Sequence, residues 1–157
     1  MLIFHVEFVP PQGGEREINM AYTSETYLTV RYAETDMMGI VHHSRYYPWF
    51  EQARTDFVKK TGYTYSAMEK MGILLPLSET HCKYIGGMRY EDEAVIACRI
   101  EKLTVARIEF SYEVLKKPEM QIMAKGSTVH GFTGTDLKPM NLKKAFPEVW
   151  EKLNELV

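Results

Sequence analysis

The chain has 157 residues, a length that fits one domain able to bury a core. Apolar residues make up 45% of it and charged residues 25%, the composition of an ordinary globular protein. Its formal net charge of −2 argues against nucleic-acid binding by bulk electrostatics, and no apolar run approaches the length of a membrane span.

Residues 1–19 differ in character from the rest of the chain. An apolar run over 2–9 is compatible with a strand, and it lacks the basic residues and cleavage site of a signal peptide. The following Gly13-Gly14-Glu15 is what a purine-rich ribosome-binding site encodes when it is translated, and Met20 lies at a suitable distance. Two interpretations stay open: a native extension, or a natural start at Met20. In both, residues 20–157 are expected to form one domain.

Alternating side chains over 24–33 predict the first core strand. The loop after it carries a carboxylate, Asp36, a glycine, Gly39, and two histidines, His42 and His43. It leads into a helix start, where unpaired N–H groups and a partial positive charge can stabilise a developing oxyanion. An aspartate in an Asp-x-x-Gly loop also caps turns, so these residues alone leave a catalytic and a structural role open.

A helix is predicted over 44–61. Ser44 is expected to cap it, Pro48 falls in its first turn, and Gly62 suits its C-terminal end. Apolar side chains recur along it at three- and four-residue spacing: Tyr46, Trp49, Phe50, Ala53 and Phe57. Such a stripe is typical of a core helix, and its first turn can also line a ligand pocket.

The remaining pattern predicts a sheet. After a short helix over 64–71 the periodicity changes to two, which indicates strands over 73–85, 93–104, 107–116 and 120–132. Two of their connections are as short as hairpin turns, so the sheet is expected to be antiparallel. Pro147 is expected to open a final helix. One strand, one long helix and four antiparallel strands define an α+β fold.

The run Arg-Tyr-x-Glu-Thr-Asp-x-x-Gly-x-Val-His-His-x-x-Tyr, over 31–46, resembles the signature of hotdog-fold acyl-CoA thioesterases. The group it resembles most is the 4-hydroxybenzoyl-CoA thioesterase-like group, which includes the bacterial Tol-Pal-associated thioesterase. The likeness extends loosely over 26–142, but this motif carries its specificity. It implies a hotdog fold, in which a five-stranded antiparallel sheet wraps around one long helix, and a homodimer or homotetramer.

The resemblance also implies roles for individual residues. The catalytic carboxylate falls on Asp36, as a nucleophile or as a general base, and the residue that offers its backbone N–H to the thioester carbonyl falls on His43. Further residues near the motif are expected to contact the substrate: Gly39, Val41, His42, Tyr46, Tyr47 and Phe50. Many relatives have tyrosine where this chain has His42, so a role of that tyrosine ring is not carried over.

Coenzyme A carries phosphates, so basic side chains are expected where it docks. Lys83 and Arg107 are the predicted contacts, and Arg89, Lys102 and Lys125 are further candidates. No cofactor is expected, because coenzyme A is part of the substrate.

A metal site is the less favoured alternative. It would use Asp36, His42, His43 and His81, but adjacent histidines rarely point the same way. The two cysteines match neither a metal motif nor a disulfide framework, and they favour a reducing, cytoplasmic setting.

These features together predict an acyl-CoA thioesterase, which converts acyl-CoA and water into a carboxylic acid and free CoA. One alternative is a non-catalytic acyl-CoA-binding hotdog protein, which needs no carboxylate beside the thioester. A hotdog dehydratase is another, but it would be expected to carry a histidine on the helix, and 45–60 contains none.

Overall fold

The computed structural model describes residues 21–157. The predicted extension over 1–19, and the start at Met20, lie outside the described residues. Within the described part, the strands are β1 (Thr23–Thr29), β2 (Leu77–Tyr84), β3 (Glu93–Leu103), β4 (Arg107–Lys116) and β5 (Gln121–Gly131). They form one antiparallel sheet in the order β1-β3-β4-β5-β2, which confirms the predicted five-stranded antiparallel sheet.

Two strands are shorter than predicted by three residues or more. β1 stops at Thr29 because the chain bends into a 3₁₀ turn, Tyr32–Glu34, which leaves the Tyr32 side chain exposed. β2 begins at Leu77 because Pro76 has no N–H to give to a strand ladder. The segment before that proline makes only an isolated bridge, between Leu74 and Thr133.

The predicted helix over 44–61 is divided into three parts. An α-helix, α1 (Tyr46–Val58), lies between two 3₁₀ turns, His43–Arg45 and Lys59–Thr61. Pro48 falls in the first turn of α1, and Gly62 ends the segment with a φ of +86°, in the left-handed region that glycine favours.

The prediction that Ser44 caps the helix was wrong. His42 caps the first 3₁₀ turn, where its Nδ1 atom accepts a 3.4 Å hydrogen bond from the Ser44 N–H. Ser44 lies inside that turn, and its hydroxyl bonds the same imidazole nitrogen at 2.8 Å.

Three short helices complete the described chain: α2 (Tyr65–Lys70), α3 (Leu142–Ala145) and α4 (Pro147–Asn154). The short helix predicted over 64–71 and the helix opened by Pro147 are thus confirmed. None of the helices within 21–157 is long and apolar enough to cross a membrane.

The core lies between α1 and the inner face of the sheet. Phe50 stacks on Tyr112 of β4, with ring centroids 4.5 Å apart, and Phe57 meets Phe110 edge-on at 5.7 Å. The Phe50 ring comes so close to β5 that a Cβ atom at Gly126 would lie 2.5 Å from it. This arrangement, a sheet with a helix on its inner face, is a hotdog-like fold.

A chain of buried hydrogen bonds runs through this core. The Leu75 carbonyl can only accept, so His130 donates to it from Nδ1 at 3.0 Å. The other ring nitrogen then accepts from Thr128 at 3.1 Å, Thr128 accepts from Tyr112 at 2.7 Å, and Tyr112 accepts from Arg54 at 3.2 Å. The chain fixes the tautomer of His130 and satisfies both of its nitrogens in the core.

Conformational stability is expected to decline below neutral pH because of His130. Burial, opposed by the hydrogen bond to Leu75 and reinforced by the charge of Arg54, lowers the pKa of His130 to about 4. An unfolded chain has a histidine pKa of about 6.5, so between these values only the unfolded state is protonated. The stabilisation is complete above about pH 6.5 and is lost by up to about 1.4 kcal/mol per pH unit below it. Urea unfolding at about pH 7.5 and pH 5 measures this decline.

His130→Asn is expected to unfold more easily at pH 7.5 and to lack that part of the decline. The matched variant His81→Asn, at an exposed position of β2, should keep the pH dependence of the wild type. An unaltered decline in His130→Asn would contradict the assignment to His130.

Candidate active site

The Asp36 loop, residues 35–41, is closed by its own hydrogen bonds. The Asp36 N–H donates to the Ile40 carbonyl and the Gly39 N–H donates to the Asp36 carbonyl, both at 2.9 Å. Gly39 adopts a φ of +72°, a left-handed conformation that explains a glycine at this position. A bridge between Thr35 and Val41 holds the two ends together. The loop is therefore a short, ordered turn with its aspartate at a defined place.

The two carboxylate oxygens of Asp36 have different surroundings. Oδ1 accepts a 2.8 Å hydrogen bond from the Met38 N–H, so Asp36 does cap its own turn. Oδ2 has no hydrogen-bond partner among the described residues, and the side chain is only half-buried. One oxygen thus holds the loop, and the other is available to a water or a substrate.

The helical segment begins beside this loop. The His42 N–H donates to the Glu34 carbonyl at 2.9 Å, and His43 is the first residue of the 3₁₀ turn that leads into α1. A residue at that position has a backbone N–H outside the intrahelical ladder. His43 therefore presents the kind of donor that a developing oxyanion requires.

A cleft of about 270 Å³ joins the loop to the helix start. Four of the predicted site residues line it: Asp36, Val41, His43 and Tyr46. The rest of its lining is Met38, Ile40, Tyr84, Ile85, Gly86 and Gly87. Except for the carboxylate, the imidazole and two phenols, the wall is apolar or backbone, a surface suited to an acyl group.

Two tyrosines border the cleft from different elements. Tyr46, in the first turn of α1, is 2% exposed, and burial raises its pKa to about 12, so it is a neutral phenol at physiological pH. Tyr84 ends the edge strand β2; its ring packs edge-on against Tyr46 at 5.2 Å, and its hydroxyl donates to the His43 carbonyl at 3.1 Å. Tyr84 thereby ties the start of the helix to the sheet.

Other predicted contacts lie outside this cleft. Gly39 is at the exposed tip of the loop, and the His42 ring serves as the cap. Tyr47 is 37% exposed and follows Tyr46 in the first turn of α1, and Phe50 is buried in the core. These residues therefore lie around the cleft but do not line it.

The predicted coenzyme A contacts also lie outside the cleft. Lys83 precedes Tyr84 in β2, so its side chain points to the other face of the sheet. Arg107 pairs with Gly131, whereas Tyr84 pairs with Ala124, an interval of roughly 23 Å along β5. Of the further candidates, Arg89 is near the loop, with Nη1 3.5 Å from the Gly39 carbonyl oxygen.

Sequence reasoning missed the wall that comes from the end of β2. Gly86 and Gly87 carried a usable signal, because paired glycines after a strand often mark a close approach of backbone. A Cβ atom at Gly86 would lie 2.6 Å from Met123, and one at Gly87 would lie 2.8 Å from Ile40. No local pattern singles out Tyr84 or Ile85.

The alternative metal ligands are not brought together as one group in the described part of the chain. Among residues 21–157, no group of three or more histidine, cysteine or acidic side chains is arranged to hold a metal ion. The His42 and His43 rings lie against each other, with centroids 4.0 Å apart, and His81 is exposed on β2.

A carboxylate loop and a helix start share one apolar cleft, on a sheet packed around that helix, which is the arrangement expected of a hotdog-fold thioester hydrolase. Comparison with protein families matches residues 30–152 to the thioesterase-like superfamily, and the chain belongs to that superfamily. This confirms the family that the motif indicated, at the level of the superfamily.

Individual relatives agree with this membership. The chain is 34% identical over 128 residues to YneP of Bacillus subtilis (strain 168), which is provisionally named an acyl-CoA thioesterase; the match spans 81% of this chain and 92% of YneP. The DHNA-CoA thioesterase of Staphylococcus aureus is 32% identical with a TM-score of 0.80, over 85% of this chain and 90% of that one. An acyl-acyl carrier protein thioesterase of Arabidopsis thaliana, ATL3, is 29% identical over 78% of this chain and 64% of its own length.

Proposed function

We propose that this protein is an acyl-CoA thioesterase that uses Asp36 as its catalytic carboxylate. The reaction consumes one acyl-CoA and one water and releases a carboxylic acid and free CoA. The observation that carries the proposal is that Asp36 and the helix start at His43 line the same cleft.

Asp36 can act in either of two ways. As a nucleophile, its carboxylate attacks the thioester carbon, CoA leaves as the thiolate, and water then hydrolyses the mixed anhydride. As a general base, it removes a proton from a water that attacks the same carbon. Both routes need an ionised carboxylate with a free oxygen, which agrees with an Oδ2 atom that has no partner among residues 21–157.

The negative charge that develops on the carbonyl oxygen needs donors in either route. The His43 N–H is the proposed donor, helped by the partial positive charge at the start of the helix. Neither route requires a metal or a redox cofactor, since the carboxylate and the backbone N–H supply the base or nucleophile and the oxyanion stabilisation.

A hydrolysis screen is the direct test. Short, long and aromatic acyl-CoAs, and one acyl chain on an acyl carrier protein, would be compared by the release of free thiol. The apolar wall formed by Met38, Ile40, Val41 and Ile85 favours hydrocarbon acyl groups. Tight binding of acyl-CoA without release of thiol would instead support the non-catalytic binding protein.

A homodimer or homotetramer is proposed as the working form. β2 is an edge strand, exposed along nearly its whole length, and proteins normally cover such an edge. The cleft lies at the end of this strand, beside Tyr84, so a second copy joined through β2 would border the cleft.

Light scattering is expected to give the mass of a dimer or a tetramer at micromolar concentration. If the second copy completes the site, specific activity should also fall on dilution below the dissociation constant. A monomeric mass with full activity at the same concentration would contradict both the assembly and a shared site.

Two narrower assignments belong to the same proposal. The Asp-x-x-Gly-x-Val-His-His motif supports membership of the 4-hydroxybenzoyl-CoA thioesterase-like group. A cytoplasmic location is supported by two free thiols, Cys82 and Cys98, in one short chain.

A further inference from the structure

Glu34 is a buried carboxylate that the reaction itself does not use. It is 5% exposed and lies two residues before Asp36, at the end of the 3₁₀ turn after β1. A buried carboxylate is costly unless hydrogen bonds compensate for the lost water. Its oxygens accept from the Arg31 N–H at 2.8 Å, from Arg31 Nη2 at 3.1 Å and from Trp49 Nε1 at 3.0 Å.

Glu34 is ionised in this position. Burial by itself raises the pKa of its carboxyl, but the hydrogen bonds from the Arg31 backbone, Trp49 and the Arg31 guanidinium outweigh burial and lower the pKa below its usual value. Charge-assisted hydrogen bonds of this kind are stronger than neutral ones. The contact with the Trp49 indole is therefore a firm link between the loop and α1.

The partners of Glu34 belong to the elements that carry the proposed chemistry. Trp49 is in the first turn of α1, is 4% exposed, and packs against Tyr46 of the cleft with ring centroids 4.9 Å apart. The backbone carbonyl of Glu34 accepts the N–H of His42, the residue before His43. One residue thus holds the start of the Asp36 loop, the end of that loop and the helix together.

We propose that Glu34 is a positioning residue. The hydrogen bond of its side chain to Trp49 and that of its backbone carbonyl to the His42 N–H determine the position of Asp36 relative to the His43 N–H. This rests on the proposed thioesterase function. An apolar side chain at Glu34 would fill the same space but would leave the Trp49 N–H without an acceptor and the loop without a link to α1. Misplacement by about 1 Å can lower a rate by roughly a hundredfold.

Glu34→Met and Trp49→Phe test this directly, because methionine removes the acceptor with little change of volume and phenylalanine removes the indole N–H. We expect each to lower kcat by about ten- to a hundredfold with KM nearly unchanged. The double variant should be no slower than the slower single variant, since both changes break the same contact. Thr128→Val is the matched control: it breaks the buried 2.7 Å bond to Tyr112, and it should lower stability but leave kcat as in the wild type.

A second readout needs no substrate. In Glu34→Met, hydrogen exchange of the Trp49 indole N–H and of the His42 amide should be faster than in the wild type, as measured by NMR. Wild-type kcat in both single variants, or unchanged exchange in Glu34→Met, would overturn the positioning role, whatever the loss of stability. A wild type that hydrolyses no thioester would overturn the proposed function, and the exchange rates would then decide separately whether Glu34 holds the loop.

Discussion

Asp36→Asn is expected to lower kcat by about a hundredfold or more, the usual scale for losing a positioned base, and to leave KM nearly unchanged. Asparagine has almost the same volume, and its carbonyl oxygen can still accept the Met38 N–H that Asp36 Oδ1 accepts at 2.8 Å. The fold of the loop should therefore survive, while the negative charge beside the thioester is lost. Steady-state kinetics on the best acyl-CoA from the screen, together with the melting temperature, measure both effects.

Asp136→Asn is a closely matched control. Asp136 also accepts a backbone N–H two residues on, from Lys138 at 3.1 Å, in an exposed turn that does not line the cleft. If aspartate matters only as a turn cap, the two substitutions should have similar small effects. If Asp36 is catalytic, only Asp36→Asn should lose activity.

His43→Ala separates the backbone from the imidazole. Alanine keeps the N–H that is proposed to hold the oxyanion, so this variant should lose less activity than Asp36→Asn. Near-normal turnover in Asp36→Asn, combined with an inactive His43→Ala, would refute the aspartate mechanism. The histidine would then have to be the base.

Gly126→Ala is expected to be the most destabilising single methyl addition in β5. The new Cβ atom would lie 2.5 Å from two ring carbons of Phe50 and 3.0 Å from the His81 carbonyl oxygen. Phe50 cannot move away easily, because it stacks on Tyr112 and belongs to α1. Overpacking of this kind typically costs about 1–3 kcal/mol, and the contact with backbone favours the upper end of that range. Urea unfolding gives the loss of stability directly.

Gly131→Ala provides the comparison in the same strand. A Cβ atom there would meet no heavy atom within 4 Å, and its φ is outside the left-handed region. Alanine should be neutral or slightly stabilising at this position, because glycine loses more backbone entropy on folding. Equal effects at Gly126 and Gly131 would mean that α1 is not packed against β5 as closely as described.

Local sequence signals were sufficient for the five strands and for α1, α2 and α4, but α3 and the 3₁₀ turns were not predicted. Period-two alternation located the strands, and apolar spacing with Pro48 and Gly62 located the helical segment, because these signals depend on neighbours in the chain. The motif that spans Arg31 to Tyr46 placed Asp36 and His43 at one loop and one helix start. These two residues and Tyr46 do line the cleft, although their catalytic and binding roles stay predictions.

The tertiary structure decided what lies opposite that loop. Tyr84 and Gly87 are more than 40 residues from Asp36 in sequence. The pairing of β2 with β5 and the hydrogen bond from the Val41 N–H to the Met88 carbonyl bring them to the cleft. The face of the sheet on which Lys83 lies follows from the register of β2, and a shift of one residue would reverse it. The link between Glu34 and α1 also depends on the tertiary structure, because it is a 3.0 Å hydrogen bond from Trp49 Nε1 to Glu34 Oε1. Such contacts join residues that share no local sequence pattern. They follow from packing and strand register and cannot be predicted from the neighbours of each residue in the chain.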